Sequence, residues 1–408
     1  MNMLIIGNGF DLAHDRPTTY ADFLKFLDYI LLAREFLADK SQFENNLATD
    51  INCCAVKEYI LSSFDTRRNP GAETGWNKNT AVQELYECLD NNIWYEYFCS
   101  IHKENKIRGN NWIDFEGEIR EIIEFLDRKI VNIYDQINCV YDEIASSLST
   151  PDDAPSKLTC FCSKINFTDY KRINKTSGPV TYFNLIEKTY QDLQRLIRCL
   201  EIYLDDCVGK MPILHYSPDI WELDIDYVLS FNYTSIPLGI YPSLNAQPHN
   251  IHGCAEAKRL PAENNMVLGV NEYWVGDDKN THTNFNLYKK FVQRIIKETG
   301  IDYKRVLRYM QSEDNKRKTV LEVKNSDSPY TNHFYIFGHS LDITDGDILR
   351  EIIETDDTDT TIFYRDKQQQ ANQIANLSKV LGQDELLKRT FSISPTIIFK
   401  KQADMKEL

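Results

Sequence analysis

The chain opens with Met3, Leu4, Ile5 and Ile6, an apolar run short enough to be a buried parallel strand, and stops at Gly7-Asn8-Gly9 before helical sequence begins. From Tyr20 to Phe36 the residues Phe23, Phe26, Leu27, Ile30, Leu31 and Leu32 recur at spacings of three and four, which predicts an amphipathic helix. Helical patterns then dominate from Ala81 to Cys207. They lie near Val82 to His102, over Ile113 to Ile144 and over Tyr182 to Leu204. The last gathers Leu185, Ile186, Tyr190, Leu193, Leu196, Ile197 and Leu200 on one face. The polar stretch from Asp65 to Thr80 reads as a long loop, either a lid or a disordered segment. Ser149 to Val180, rich in Pro, Asp, Ser and Lys, reads as an exposed connection.

Strand signals return after Asp224. Tyr227 to Phe231 leads into Asn232-Tyr233-Thr234, and His249 to Gly253 follows a turn. Further runs are Met266 to Val270, Phe334 to Phe337, Thr361 to Tyr364 and Thr396 to Phe399, with helical segments such as Asn286 to Glu298 and Gln368 to Val380 between them. Alternating strands and helices predict an α/β fold, a Rossmann-like parallel sheet with helices on both faces. The first strand and the later ones are far apart in sequence. The expected organisation is therefore a nucleotide-binding domain in two parts, residues 1–40 and 211–408, interrupted by a helical insertion domain over 41–210.

Composition narrows the function. The chain has 408 residues, 42% of them hydrophobic, and a net charge of -15. Such an acidic chain is a poor match to the phosphate backbone, so nucleic acid is not an expected partner. No apolar run of about 18 residues occurs and no leader precedes the first strand, which predicts a cytoplasmic protein without a membrane partner. The ten cysteines form no paired CxxC units, so they are expected to be reduced and no metal is expected.

In open parallel sheets ligands sit beyond the carboxyl ends of the strands. Four such ends carry suggestive residues: Gly7-Asn8-Gly9-Phe10-Asp11, Phe231-Asn232-Tyr233, Ile251-His252-Gly253 and Phe337-Gly338-His339-Ser340-Leu341. Glycines after the first strand would let a phosphate approach the backbone at a helix start. The bland alternative is a tight turn with no ligand. Leu12 stands where the dinucleotide fingerprint has its third glycine, and no acidic residue follows at the end of a second strand, so a hydride-transferring dehydrogenase is disfavoured. Gly338-His339-Ser340-Leu341-Asp342 is no esterase elbow, since its fifth residue is not glycine and no histidine follows Ser340. Walker-type loops are missing as well.

The motifs GNGFDLAHDRPTTYADF, SFNYT, NIHG and FGHSL-x3-D, in that order around a helical insertion, resemble the AbiH family of phage abortive-infection proteins, itself similar to SIR2-like NAD-binding defence domains. The resemblance covers the N-terminal segment and roughly Asp224 to Lys400, with Asn111 to Glu116 family-like inside the insertion. It implies that Gly7, Asn8 and Gly9 form the phosphate loop, with Phe10 and Asp11 beside it. It further implies that Asn232 holds ribose hydroxyls or the attacking water, that His252 faces the nicotinamide ribose, and that Gly338 and Ser340 contact the adenosine ribose. The zinc ribbon of deacetylases is absent, so the implied activity is hydrolysis of NAD rather than protein deacetylation. A phage-derived trigger and a homo-oligomer are the partners it suggests.

Each residue has a plainer use. A histidine at a strand end is more often structural than catalytic, and Asn232 has the side chain of a helix cap. His249, His333 and His339 have no motif role and are read as structural. Asp114, Glu116, Glu118 and Glu121 could bring carboxylates to the site or bind metal, but the first turn of a helix favours acidic residues for its own reasons. The function expected is therefore a phage-defence effector that binds NAD or a related nucleotide and hydrolyses it with Asn232 and His252. The alternatives are a nucleotide-binding sensor without chemistry and, with only Asp114, Glu116 and Glu118 in its favour, a nuclease.

Overall fold

In the computed structural model, residues 1–35, 45, 54–65, 80–134, 156–164, 182–235, 240–241, 244, 248–300, 302–320 and 332–408 are described. The expected loop from Asp65 to Thr80 and the connection from Ser149 to Val180 fall largely outside these residues.

Eight strands are described: β1 (Asn2–Ile6), β2 (His215–Tyr216), β3 (Tyr227–Ser230), β4 (His249–Asn250), β5 (Asn332–Phe337), β6 (Thr358–Tyr364), β7 (Ile397–Lys401) and β8 (Lys406–Glu407). Six of them form one sheet in the order β4-β3-β1-β5-β6-β7, and β2 pairs with β8 in a small antiparallel ribbon. Every pairing in the large sheet is parallel. Residues 2–6 thus lie between strands that begin more than two hundred residues later. Successive strands step outward one way from β1 through β3 to β4, then the other way from β5 to β7, so the direction of travel reverses between β1 and β5.

The β1 run is apolar throughout because both faces of the sheet are covered. Met3 and Ile5 join Leu229, Phe334 and Ile336 under helices Asp302–Val320, Gly346–Ile353 and Lys367–Leu381. Leu4 and Ile6 face the other way, against Phe10, Ile220 and Tyr241. The second face is covered mainly by the short helices Asn8–Ala13 and Pro218–Trp221 and by the chain near Tyr241.

Several elements differ in detail from their sequence patterns. Val82 to His102 is two helices, Thr80–Leu89 and Ile93–Ile107. Asn91 adopts a left-handed φ of 48°, and Asn92 caps the second helix by accepting a bond from the Tyr95 amide at 3.1 Å. Met266 to Val270 is buried but is not a strand of the sheet. Val267 N donates to His252 O and Val270 N to Tyr288 O, neither acceptor belonging to a strand of the sheet. Among the described residues the helical middle has no core of its own. Helix Tyr20–Glu35, the insertion helices and Met266, Leu268, Phe285 and Tyr288 share one continuous apolar cluster.

Candidate functional site

The turns after β1 and β5 press backbone against backbone. Gly9 N donates to Gly338 O at 2.7 Å, and a Cβ on Gly9 would lie 2.7 Å from Gly338 Cα. Gly338 has a φ of 69°, and a Cβ there would lie 2.2 Å from Phe10 N. Gly7, Gly9 and Gly338 are thus required by this contact, whether or not a phosphate comes near. The Gly9 amide is already engaged, and the side-chain space at Gly9 that a phosphate was expected to use is occupied by the chain at Gly338. Phe10 likewise points into the core, against Phe337 and Tyr241. Asn8 accepts from Thr18 Oγ1 at 2.6 Å. Ser340 is exposed, and its carbonyl accepts from Asn376 Nδ2 at 3.1 Å.

Two polar clusters lie along the carboxyl edge. Asp11 is the centre of the first. Its Oδ2 accepts from Thr234 Oγ1 at 2.6 Å and from Asn232 Nδ2 at 3.0 Å, and its Oδ1 faces Arg16 at 3.3 Å. Burial pushes the Asp11 carboxyl above its ordinary value, while the Thr234 bond and the Arg16 charge pull it back. Asn232 also donates from Nδ2 to Gly7 O at 3.0 Å. Both of its amide hydrogens are therefore committed to the turn after β1.

The second cluster is more highly charged. His252, two residues past β4, meets Asp345 Oδ1 through Nε2 at 2.9 Å, and Lys290 Nζ donates to the same oxygen at 2.7 Å. Lys290 also donates to Glu116 Oε2 at 2.8 Å. His339 Nε2 lies 3.7 Å from Asp345 Oδ2, and its Nδ1 accepts from the Leu341 amide at 2.9 Å. His252 and Lys290 are almost completely buried, at 3% and 1% exposure, so a nucleotide reaching them must displace covering chain.

Burial alone would oppose ionisation of Asp345, but the Lys290 ammonium and His252 outweigh it and hold the carboxyl well below its ordinary value. Against the cost of burial, Asp345 and Glu116 raise the Lys290 ammonium above its own. Burial lowers His252, helped by Lys290, and takes His339 down to about 4. Both imidazoles are neutral at pH 7. Burial lifts Glu116 to about 7 in spite of Lys290, with Asp345 and Asp114 adding to the rise.

The sign of the Glu116 shift gives a pH prediction. A carboxyl raised in the folded state contributes stability that is full below its unfolded value near 4.5 and is lost as pH rises through about 7. Within that window Glu116 should make stability fall by at most about 1.4 kcal/mol per pH unit. Urea unfolding of Glu116→Gln against the parent across the window should show the parent losing stability relative to the variant as pH rises. Parallel curves would count against the shift.

Asn232, His252, Gly7 to Asp11 and Gly338 all lie along one edge, as their strand-end positions predict. The structure does not join Asn232 to His252 through one partner: the first serves Asp11, the second Asp345. Asp345 is the final residue of FGHSL-x3-D, a motif visible in the sequence with no role attached to that aspartate. Glu116 is visible too, but its position suits helix-dipole complementarity equally well. Lys290 carries no sequence signal, being one of two adjacent lysines in the mixed segment Tyr288 to Ile296.

A cavity of about 640 Å³ lies elsewhere, between helices Lys367–Leu381 and Gln383–Phe391 and β7. Its lining is largely apolar, with Ile374, Leu386, Phe391 and Phe399 beside Gln370, Ser378, Gln383 and Thr390, and it holds no carboxylate or histidine. Among the described residues no His, Cys, Asp and Glu group is arranged to hold a metal, and no helix is long and apolar enough to cross a membrane. A family model described as bacteriophage abortive infection AbiH matches residues 3–366. No curated protein and no solved structure matches the chain.

Proposed function

The chain belongs to the bacteriophage abortive infection AbiH family, and on that premise we propose that it binds NAD or a related nucleotide at the carboxyl edge of its sheet and hydrolyses the N-glycosidic bond. The observation that carries the reading is the strand order. Numbered within the large sheet, it runs 3-2-1-4-5-6, the order of doubly wound Rossmann sheets, which bind dinucleotides at the reversal. The SIR2-like relation belongs to the same proposal, as do a phage-derived trigger and assembly into homo-oligomers.

In this reaction the bond between ribose C1′ and the pyridinium nitrogen breaks, and both its electrons leave with the nitrogen. Nicotinamide departs neutral. A water oxygen bonds to C1′, and the proton it loses passes to His252 Nδ1, a buried ring nitrogen with no hydrogen-bond partner. A neutral imidazole suits that role, since a protonated ring could not accept. Asn232 holds Asp11 and the turn after β1 with its amide hydrogens, and its carbonyl oxygen is the part those two bonds leave for a ribose hydroxyl or water. Those same commitments of Asn232 favour the second reading, a nucleotide sensor that does no chemistry.

Purified protein incubated with NAD, NADP and ADP-ribose, with nicotinamide followed by chromatography, separates the two. The hydrolase reading expects nicotinamide from wild type and at least about a hundredfold less from His252→Ala with NAD still bound. Asn232→Ala should lose rate too, and also about 1–3 kcal/mol of stability, because Asp11 keeps its burial and loses a donor. Binding without turnover, in protein triggered by phage infection as well as resting, would establish the sensor instead.

A further inference from the structure

We propose that Asp345 is the positioning residue of this centre: it fixes His252 as the tautomer protonated at Nε2 and so keeps Nδ1 unprotonated, ready to accept the water's proton. The inference rests on the hydrolase reading for its chemical purpose, but the tautomer itself can be tested without turnover. A neutral imidazole has one N–H. The carboxylate Oδ1 of Asp345, 2.9 Å from Nε2, only accepts, so that proton belongs on Nε2. Nδ1 then holds a lone pair, and it is the ring atom left buried without a partner.

The surroundings make Asp345 a reliable acceptor. Lys290 shares Oδ1 with His252 and keeps the carboxylate ionised. His339 is fixed in the same sense, because its Nδ1 accepts from the Leu341 amide and its proton must sit on Nε2, toward Asp345 Oδ2. Two imidazoles and one ammonium thus converge on a single carboxylate. Once Nδ1 takes the proton, His252 becomes an imidazolium whose Nε2–H already faces that negative charge, so the product of the proton transfer is stabilised in place. Glu116, on a helix of the insertion, holds the far side of Lys290, which makes the insertion part of the centre.

The experiment uses full-length protein labelled with ¹⁵N at histidine, with long-range ¹H–¹⁵N spectra at pH 7.5 (about one unit above the ordinary histidine value) and His252 assigned by its loss in His252→Gln. Wild type should show Nε2 protonated and Nδ1 bare. In Asp345→Asn combined with Lys290→Met no ammonium holds the amide oxygen toward Nε2, so the amide can donate there and the proton should move to Nδ1. Nicotinamide release should then fall by about a thousandfold or more in kcat with KM little changed, by analogy with the tautomer-reversing change in serine proteases. Asp345→Glu should keep the wild-type tautomer and recover part of the rate. A wild-type His252 protonated at Nδ1 overturns the proposal even if no variant folds, and so does the double variant with the wild-type tautomer or rate. The predicted tautomers in a protein that releases no nicotinamide would uphold the positioning by Asp345 and overturn the hydrolase reading alone.

Discussion

Gly9→Val is expected to leave a protein that is mostly unfolded at modest urea concentrations, whatever its ligand. Even the first carbon of the new side chain would lie 2.7 Å from Gly338 Cα and 2.8 Å from Gly338 O, both backbone atoms that cannot swing aside. The chain can relieve the clash only by separating the turns after β1 and β5. That breaks the Gly9 N to Gly338 O bond and disturbs the join between β1 and β5 at the middle of the sheet. Overpacking of this kind costs about 1–3 kcal/mol, and a lost buried hydrogen bond about 1–3 kcal/mol more, against total stabilities of about 5–15 kcal/mol. Gly276→Ala is the contrast. Gly276 has a φ of 60° but nothing within 4 Å of its added carbon, so only backbone strain of about 1–2 kcal/mol applies. Urea titration of both decides the matter: Gly9→Val as stable as Gly276→Ala would mean that the turns do not pack as described. It would leave close approach of a phosphate as the reason for a glycine there.

This result bears on what a sequence can convey. The strand, the glycine turn and the helix after it are legible in residues 1–35 because burial on both faces leaves an unbroken apolar run, and the turn needs small residues. Why the residues must be small is not legible. The partner of Gly9 is Gly338, and no local pattern joins positions so far apart. A similar blindness makes Met266 to Val270 look like a strand: an apolar run reports burial, and this segment is buried while bonding to His252 and Tyr288 rather than to the sheet. Asn232 stands out because it follows an apolar run, and His252 by its place in the motif NIHG. Asp345 and Lys290 do not, since what marks them is each other. A lysine between Lys289 and Phe291 looks like a surface residue of an amphipathic helix until Glu116 and Asp345 arrive from either side of it in sequence. What the insertion helices pack against is illegible for a related reason. Periodicity reveals that helices are amphipathic but not which surface they meet, and here they meet residues 255–288 of the later half.

The triad of Glu116, Lys290 and Asp345 should give the largest non-additive effect in the molecule. Lys290→Met keeps most of the side-chain volume but takes the ammonium away from two buried carboxyls 2.7 and 2.8 Å distant. Removing one member of a buried ion pair costs about 3–5 kcal/mol, because the charge left behind has neither water nor partner. Part of that cost is avoidable at low pH. Asp345 owes its depressed value first to Lys290 among the groups that favour its charge, so in the variant both carboxyls should take up protons at higher pH than in the parent. The stability lost by Lys290→Met should therefore shrink as pH falls from 8 toward 5, where the carboxyls (ordinary values about 4) bind protons in the folded variant before they do in the unfolded chain. Neutralising the whole set is a different matter. Lys290→Met combined with Glu116→Gln and Asp345→Asn buries no charge at all, and replacing a complete buried ionic cluster is often close to neutral for stability. The triple variant should thus be more stable than Lys290→Met alone, by several kcal/mol at pH 8, and its pH dependence in this range should be weaker. Urea unfolding of the single and triple variants at pH 5 and pH 8 measures the coupling directly. Additive losses, with the triple variant least stable at both pH values, would mean that these groups are not joined as one buried cluster and that the insertion contributes nothing to the centre through Glu116.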